Sequence, residues 1–535
     1  MIVFLSLSMG QTLGQALTDE AGLRALVNEF AGARNFKQVE EIIEKLAGSG
    51  KPEAANALRG LASGTLMAKK DEGVVYLVEE AAGGVLIFDA VSGEPVTLSK
   101  AQAQDFEKIK IKNSLRRLID AALSGLTLKS PSIAVRLKAA ETIFETADGS
   151  ALGALDEALK TEAVTKVREA FFDARASIVL SGDFAHDDKK AALKRIVARG
   201  GQSSLALLSK AVSSADSAIK PDIMAGIESL KANLALWQAG QNVWYGLSLG
   251  SVLLLAAIGL AITFGVMGVI NMAHGEMVML GAYTTFAVQE AIRQNVPDLF
   301  SFSLLIALPL AFLVSGGVGY IMERGLIRYL YGRPLETLLA TWGVSLILQQ
   351  AVRSLFGPTN REVGNPDWMS GAFQLGELAI TWNRLWIIVF SLSVFAILYF
   401  VVNRSSYGLN MRAVTQNRRM AGAMGIRTDR LDALTFALGS GIAGIAGVAL
   451  SQIDNVSPNL GQSYIIDSFL VVVLGGVGNL WGTLVGAMSL GIANKFLEPY
   501  VGAVLGKIII LVFIILFIQR RPRGIFALKG RSVEL

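Results

Sequence analysis

Beyond residue 240 the sequence is a succession of apolar runs, each close to the ~20 residues that a helix needs to cross a bilayer. In hydrocarbon, only helices or closed barrels satisfy their own backbone, so these runs restrict the fold more than any other feature. They fall at 245–268, 275–292, 302–323, 336–356, 385–403, 431–452 and 502–519, with an interrupted apolar region over 464–497. The fold class that follows is an α-helical polytopic membrane protein of about 8 spans, one region being broken or re-entrant. Composition agrees: of 535 residues 52 % are hydrophobic, with 55 glycines and 12 prolines, too apolar for an ordinary soluble enzyme.

Short loops rich in Lys and Arg mark the cytoplasmic side. Arg324, Arg328 and Arg333 form one such loop. Arg404, Arg412, Arg418, Arg419, Arg427 and Arg430 form a second, and Arg520, Arg521, Arg523, Lys529 and Arg531 a basic tail. Three spans before the first of these place everything ahead of residue 241 on the opposite, periplasmic face, and the C-terminus in the cytoplasm. By the same parity, 464–497 crosses an even number of times. Being short for two full spans, it reads as two half-length helices or a re-entrant pair meeting near Gly475–Asn479. Gly478, Gly482 and Gly486 recur every four residues, a small face on which another helix packs; Ser440 with Gly444, and Ala443 with Gly447, repeat the pattern.

Between the first two runs sits a polar knot, Asn271, His274, Gly275 and Glu276. A carboxylate and an imidazole beside hydrocarbon are costly unless they face protein or water, so they mark either a solute pathway or a wet turn. A helix break here would aim the N–H groups after Gly275 at a solute carbonyl, with Asn271 or Glu276 accepting from its amino groups. Thr341 and Gln349, polar residues inside a later span, are further candidates for the same path.

Residues 1–240 differ in character. They carry 29 basic and 30 acidic side chains, against 20 and 14 in residues 241–535, so no concentrated basic surface exists for nucleic acid. Met1–Ala16 has a short apolar core and a small-residue end but no basic start, and reads as a truncated signal peptide. Residues 17–72 and 113–235 carry apolar positions at helical spacing, as in Leu23, Leu26, Val27 and Phe30, or Val39, Ile42, Ile43 and Leu46. Similar units at 134–140, 165–170 and 192–196 suggest a HEAT-like array of stacked helices over 17–240, with a small β-hairpin insert within Val74–Leu98. Asp183, His186, Asp187 and Asp188 read as an acidic loop whose Asp187 or Asp188 caps a helix, not as a metal cluster. With no cysteine, disulfides, zinc thiolates and thiol catalysis are excluded, and no metal or catalytic constellation is expected.

Gly268-Val-Ile-Asn271-Met-Ala-His274-Gly275-Glu276, followed by Met279-Leu280-Gly281-Ala282-Tyr283, resembles the signature of the LivH-type permeases of branched-chain amino-acid ABC importers. The resemblance continues through Thr341–Ser345, Gly475–Gly486 and Ala421-x-x-x-Gly425, covering about residues 243–525. Within that family, the long extension before the first span resembles the urea-importer permease subunit. The resemblance implies a transport subunit, not an enzyme, in the bacterial inner membrane. Its implied partners are a second related permease, two cytoplasmic ATPases and a periplasmic substrate-binding protein. The loop 404–430, with Arg412, Ala421, Gly425 and Arg427, would be its ATPase coupling segment. Arg419 stands where such loops often carry an acidic residue. No GxxxxGK[ST] pattern occurs, so no nucleotide cofactor is expected on this chain and ATP is used by the partners. Urea, small and neutral, is the expected solute. A branched-chain amino acid or short amide is the first alternative, and an ATP-independent small-solute channel the second.

Overall fold

Alanine-rich amphipathic segments in the first half become short helices. The computed structural model describes residues 21–526 except 34, 50, 52, 70–72, 82–83 and 97–104; the segment read as a truncated signal peptide lies outside these. The chain divides into two compact units, Met1–Leu234 and Ala235–Leu535.

In the first unit, α1 (21–32), α2 (Phe36–Gly48), α3 (Ala54–Ser63) and α4 (Asn113–Leu128) share a core to which Leu23, Val27, Phe30, Val39, Ile42, Ile43 and Leu46 contribute. The sheet is larger than the expected hairpin. It has four antiparallel strands in the order β3-β2-β1-β4, from β1 (Leu66–Lys69), β2 (Val75–Ala81), β3 (Gly84–Asp89) and β4 (Phe106–Lys108). β1 was missed because Leu-Met-Ala-Lys has no β-branched residue, and its place between two neighbours is invisible locally.

A second core joins α5 (Ile133–Thr146), α6 (Leu152–Thr161), α7 (Thr165–Ser181), α8 (His186–Arg199) and α9 (Gly201–Ser214). Arg136 braces it by donating to both carboxylate oxygens of Glu162, at 2.8 and 3.3 Å, and to the Ser130 carbonyl at 2.7 Å. α8 starts at His186 with Ala185 at the cap position. Asp187 and Asp188 therefore act on the helix dipole from the first turn instead of capping it. Among the described residues no cluster could hold a metal ion.

The second unit is built on α10 (Lys220–Met267, which begins in the first unit), α11 (His274–Asn295), α12 (Ser303–Gly325), α13 (Pro334–Phe356), α14 (Trp382–Arg404), α15 (Ser406–Gln416), α16 (Arg418–Ala423), α17 (Thr428–Leu450), α18 (Leu460–Gly475) and α19 (Leu480–Arg520). Among the described residues, five helical segments are long and apolar enough to cross a membrane: α10, α12 with the short turn before it, α14, α17 and α19. α11 and α13 have span length, 22 and 23 residues, but carry buried polar residues that lower their apolarity.

The interrupted region resolves as α18, of 16 residues, followed by a longer helix. α19 is itself two helices, because Gly502 adopts φ 80°, ψ 163°. A Cβ on Gly506 would lie 3.6 Å from the Leu497 Cβ, so the chain folds back on itself there. The second helix of the 464–497 region is thus not half-length; it runs on to the break at Gly502. A β-hairpin of β5 (Ala372–Leu375) and β6 (Leu378–Thr381), unforeseen, joins α13 to α14. The Gln241 side chain extends it, accepting from the Ala379 N–H at 2.9 Å and donating to its carbonyl at 3.0 Å.

Glycine sets how closely the helices approach. A Cβ on Gly281 would overlap the Gly444 backbone, and one on Gly447 would overlap the Val278 carbonyl, so α11 and α17 touch main chain to main chain. Gly482 meets Gly475, and Gly486 faces Val471, which seats α19 on α18. Gly478 is not on that face: it precedes the helix with φ +80° and lies against Gly265 of α10. Replacing Gly281 with Val should push α11 off α17 at a cost of about 1–3 kcal/mol or more. A thermal melt of the detergent-solubilised protein should show a lower midpoint and a reduced folded yield, while Gly343→Ala, in open space, should leave both unchanged.

Candidate functional site

α10 ends at Met267 and Gly268 turns with φ +68°, after which 268–273 form no helix. The segment runs back along α10. His274, the first residue of α11, donates from Nε2 to the Ala256 carbonyl at 2.9 Å. Ala256 lies about 17 Å along α10 from its end at Met267, so α11 begins near the middle of the span, not at its edge. Side chains secure the break. Asn271 Oδ1 accepts from the Ala273 N–H at 3.0 Å, and Thr341 Oγ1 of α13 accepts from the Met272 N–H at 3.1 Å.

The approach again needs glycine. A Cβ on Gly259 would overlap the Gly439 carbonyl and lie 2.9 Å from His274 Cε1. One on Gly461 of α18 would lie 2.6 Å from the Gly275 backbone carbon and 2.8 Å from Glu276 Oε2. α10, α11, α17 and α18 therefore converge around the first turn of α11.

Glu276 is held by α13. Its Oε1 accepts from Ser345 Oγ at 2.9 Å and from Gln349 Nε2 at 2.7 Å, while Gln349 also donates to Ser345 Oγ at 3.2 Å. The other oxygen, Oε2, is buried without a protein partner, as are Asn271 Nδ2 and His274 Nδ1. A carbonyl only accepts, so His274 carries its hydrogen on Nε2 and leaves Nδ1 as an acceptor. Two acceptors and one donor are thus present on residues around the break, and such buried groups are costly unless something satisfies them.

All five sequence candidates, Asn271, His274, Glu276, Thr341 and Gln349, meet here. Ser345 was missed, although Thr337, Thr341, Ser345 and Gln349 recur every four residues and are all buried, while Leu339, Trp342, Leu346 and Ile347 of the same helix are exposed. That spacing on one helix face was the available signal.

Residues 242–518 match the family model described as branched-chain amino acid transport system / permease component. The chain belongs to this family. The high-affinity branched-chain amino acid transport system permease protein BraD of Pseudomonas aeruginosa is 31 % identical over 292 residues, covering 53 % of this chain and 94 % of that protein. LivH of Escherichia coli K12 is 31 % identical over 294 residues, again 53 % and 94 %. The probable LivH of Methanocaldococcus jannaschii is 26 % identical over 305 residues, 53 % and 91 %. No solved structure matches the chain. The protein is thus a permease component of an ABC transporter of branched-chain amino-acid type, and an integral membrane protein.

On the arginine-rich end of the permease, α16 is tied inward. Asn417 Oδ1 caps it from the Met420 N–H at 3.0 Å, and Arg418 pairs with Asp432, which is fully buried in α17. The Arg418 guanidinium also lies 4.8 Å over the Tyr331 ring. Burial, and then Asp432 and Glu323 nearby, push the Tyr331 phenol well above its ordinary pKa, so it stays neutral. Arg328 pairs with Asp429 at 3.2 Å. Of the residues expected in the coupling segment, Arg412 is exposed and donates to the Val402 carbonyl at 2.6 Å, closing the end of α14. Ala421 is buried against the permease itself. Gly425, φ +88°, makes the turn that lets the Ile426 N–H return to the Ala421 carbonyl at 3.1 Å, and Arg427 is exposed. Exposed on and just after α16 are Arg419, Met420 and Met424, the two methionines by 60 % and 81 %. Arg418 and Asp432 form a testable unit. In a double-mutant cycle with alanine at each, thermal stability should show a coupling of about 1–3 kcal/mol, the double variant losing less than the two singles summed.

Proposed function

We propose that this chain is the membrane subunit through which a binding-protein-dependent importer passes a small, nitrogen-bearing solute. The observation that carries this reading is the polar cluster at the α10–α11 break, about 17 Å along a span, with an unpaired Glu276 oxygen. A carboxylate oxygen with no protein donor suits a ligand that brings N–H groups, either an ammonium or an amide. Asn271 Nδ2 would donate to the solute's carboxylate or carbonyl, and Gln349 and Ser345 would hold Glu276 in place. His274 and Thr341 are braces in this reading, since their bonds fix the first turn of α11. The relatives favour a branched-chain amino acid as the solute. Urea is the second reading, supported by the N-terminal unit, which lies outside the matched residues 242–518.

The rest of the assembly follows from the family's mode of action. A second permease would complete the path. Two cytoplasmic ATPases would supply the energy, and a periplasmic binding protein the solute. The arginine-rich loops support a sidedness in which α16 and the C-terminus are cytoplasmic and the N-terminal unit periplasmic, in the bacterial inner membrane. Counting α11, α13, α18 and both parts of α19 with the other long helices gives the multi-span permease domain, and α16 would dock on an ATPase through Met420 and Met424.

Uptake of labelled leucine and labelled urea by cells carrying the assembled importer separates the solutes. Glu276→Gln, which keeps shape and removes charge, should lower uptake of the true solute about ten- to hundredfold with normal membrane levels of protein. Undiminished uptake of both would remove Glu276 from the path. Met424→Asp should cost co-purified ATPase without changing the permease's melting temperature; full retention of the ATPase would exclude α16 as its dock.

A further inference from the structure

We propose that the permease has a binding groove for one anionic phospholipid between α12, α14 and α17. A groove of about 500 Å³ opens there, lined by Phe312, Leu313, Gly317 and Tyr320 of α12, Val401 of α14 and Leu434 of α17. Its lining is almost entirely apolar. Gly317 leaves it open, because a Cβ at that position would meet no atom within 4 Å. Leu313 and Leu434 are 65 % and 51 % exposed, so the groove lies on the outer surface of this chain.

Charge decides what fills it. α12 and α17 run antiparallel, Gly316 meeting Ala437 and Gly319 meeting Phe436, so Tyr320 and Leu434 stand toward the same end of the groove. One turn further, on the same faces, come Arg324 after Tyr320 and Arg430 before Leu434. Arg404 follows Val401 by three residues at the end of α14. Arg324 is held over the Tyr320 ring at 5.7 Å, and its nearest acid, Glu323, is a loose 3.9 Å away. Asp429 is already paired with Arg328, and Arg404 and Arg430 make no ion pair among the described residues. An apolar trough with arginines from three helices at one end matches an amphiphile with acyl chains along the trough and a negative headgroup at its mouth. A transmembrane helix of another subunit fits less well, since it would have to continue past that end among three arginines, two of which, Arg404 and Arg430, have no ion-pair partner among the described residues.

The test is retention of lipid by full-length permease reconstituted in nanodiscs of equal phosphatidylglycerol and phosphatidylethanolamine, released and weighed by native mass spectrometry. A retained phosphatidylglycerol is expected. Arg324→Gln, Arg404→Gln and Arg430→Gln should each reduce its retention roughly five-fold, the effect of one arginine near a membrane surface. Gly317→Leu fills open space, so it should expel the lipid while leaving the melting temperature unchanged; should that variant misfold, the arginine series decides. Equal retention of both lipids, or arginine variants that retain phosphatidylglycerol as wild type does, would overturn the proposal. So would a photo-crosslinker at Leu313 that captures another subunit instead of lipid in the assembled complex.

Discussion

Main-chain contact between helices is the constraint on which the membrane unit depends. Lipid tails offer no hydrophobic drive for helices to associate, so association rests on close packing and on hydrogen bonds between helices. Here the packing is taken to its limit: Gly259 against Gly439, Gly275 against Gly461, and Gly281 against Gly444 are contacts of backbone with backbone. Each removes a side chain that would hold two helices apart. Only with those side chains gone can α11 start deep in the unit, and only there does His274 reach the Ala256 carbonyl.

From that placement the polar chemistry follows. A chain that breaks inside the span exposes N–H groups that water would otherwise satisfy, and their partners come locally from Asn271 and across the unit from Thr341 of α13. Glu276 is stabilised differently. It sits in the first turn of α11, where the helix dipole favours negative charge, and takes two donors from α13 on one oxygen only. The arrangement divides labour between neighbours two residues apart: the His274 imidazole ties two helices together, while the Glu276 carboxylate keeps an oxygen free of protein donors. A fully satisfied cluster would have made a rigid core and nothing more.

Much of this was legible in the sequence because apolar length and isolated polar residues are local signals. The spans come from apolar length, and the break at Asn271–Glu276 and the partnership of Thr341 and Gln349 with it from polar residues out of place in hydrocarbon. What was not legible depended on geometry that spacing alone cannot carry. Gly478, Gly482 and Gly486 look like one helix face, but a face exists only where the helix does, and Gly478 sits in the turn before it. Ala421 reads as part of a small docking surface, yet a small residue serves inward and outward packing equally, and the structure turns it in and Met424 out. Ser345 escaped notice because one serine in a span is ordinary; its meaning lies in the register with Thr341 and Gln349. The reversal at Gly502 was hidden for a related reason, since apolar residues flank it on both sides.

α17 gives these separate features a common frame. Near its start Asp432 receives Arg418 from α16; a little further on, Gly439 crosses α10, and beyond that Gly444 and Gly447 lie against α11. The distance from Asp432 to Gly444 along the helix is about 18 Å. An unbroken helix between two such points moves as a body, because its own hydrogen bonds resist compression far more than a loop does. α16 is short, and its inward tie at Arg418 is to this same helix. α16 and the α11 contact are thus joined by one helix and one ion pair, in which the Asp432 carboxylate is buried and the Arg418 guanidinium half-exposed. The glycines that make α17 pack closely also leave no side chain between the α17 and α11 backbones, so the same helix that receives Arg418 lies directly against the first half of α11.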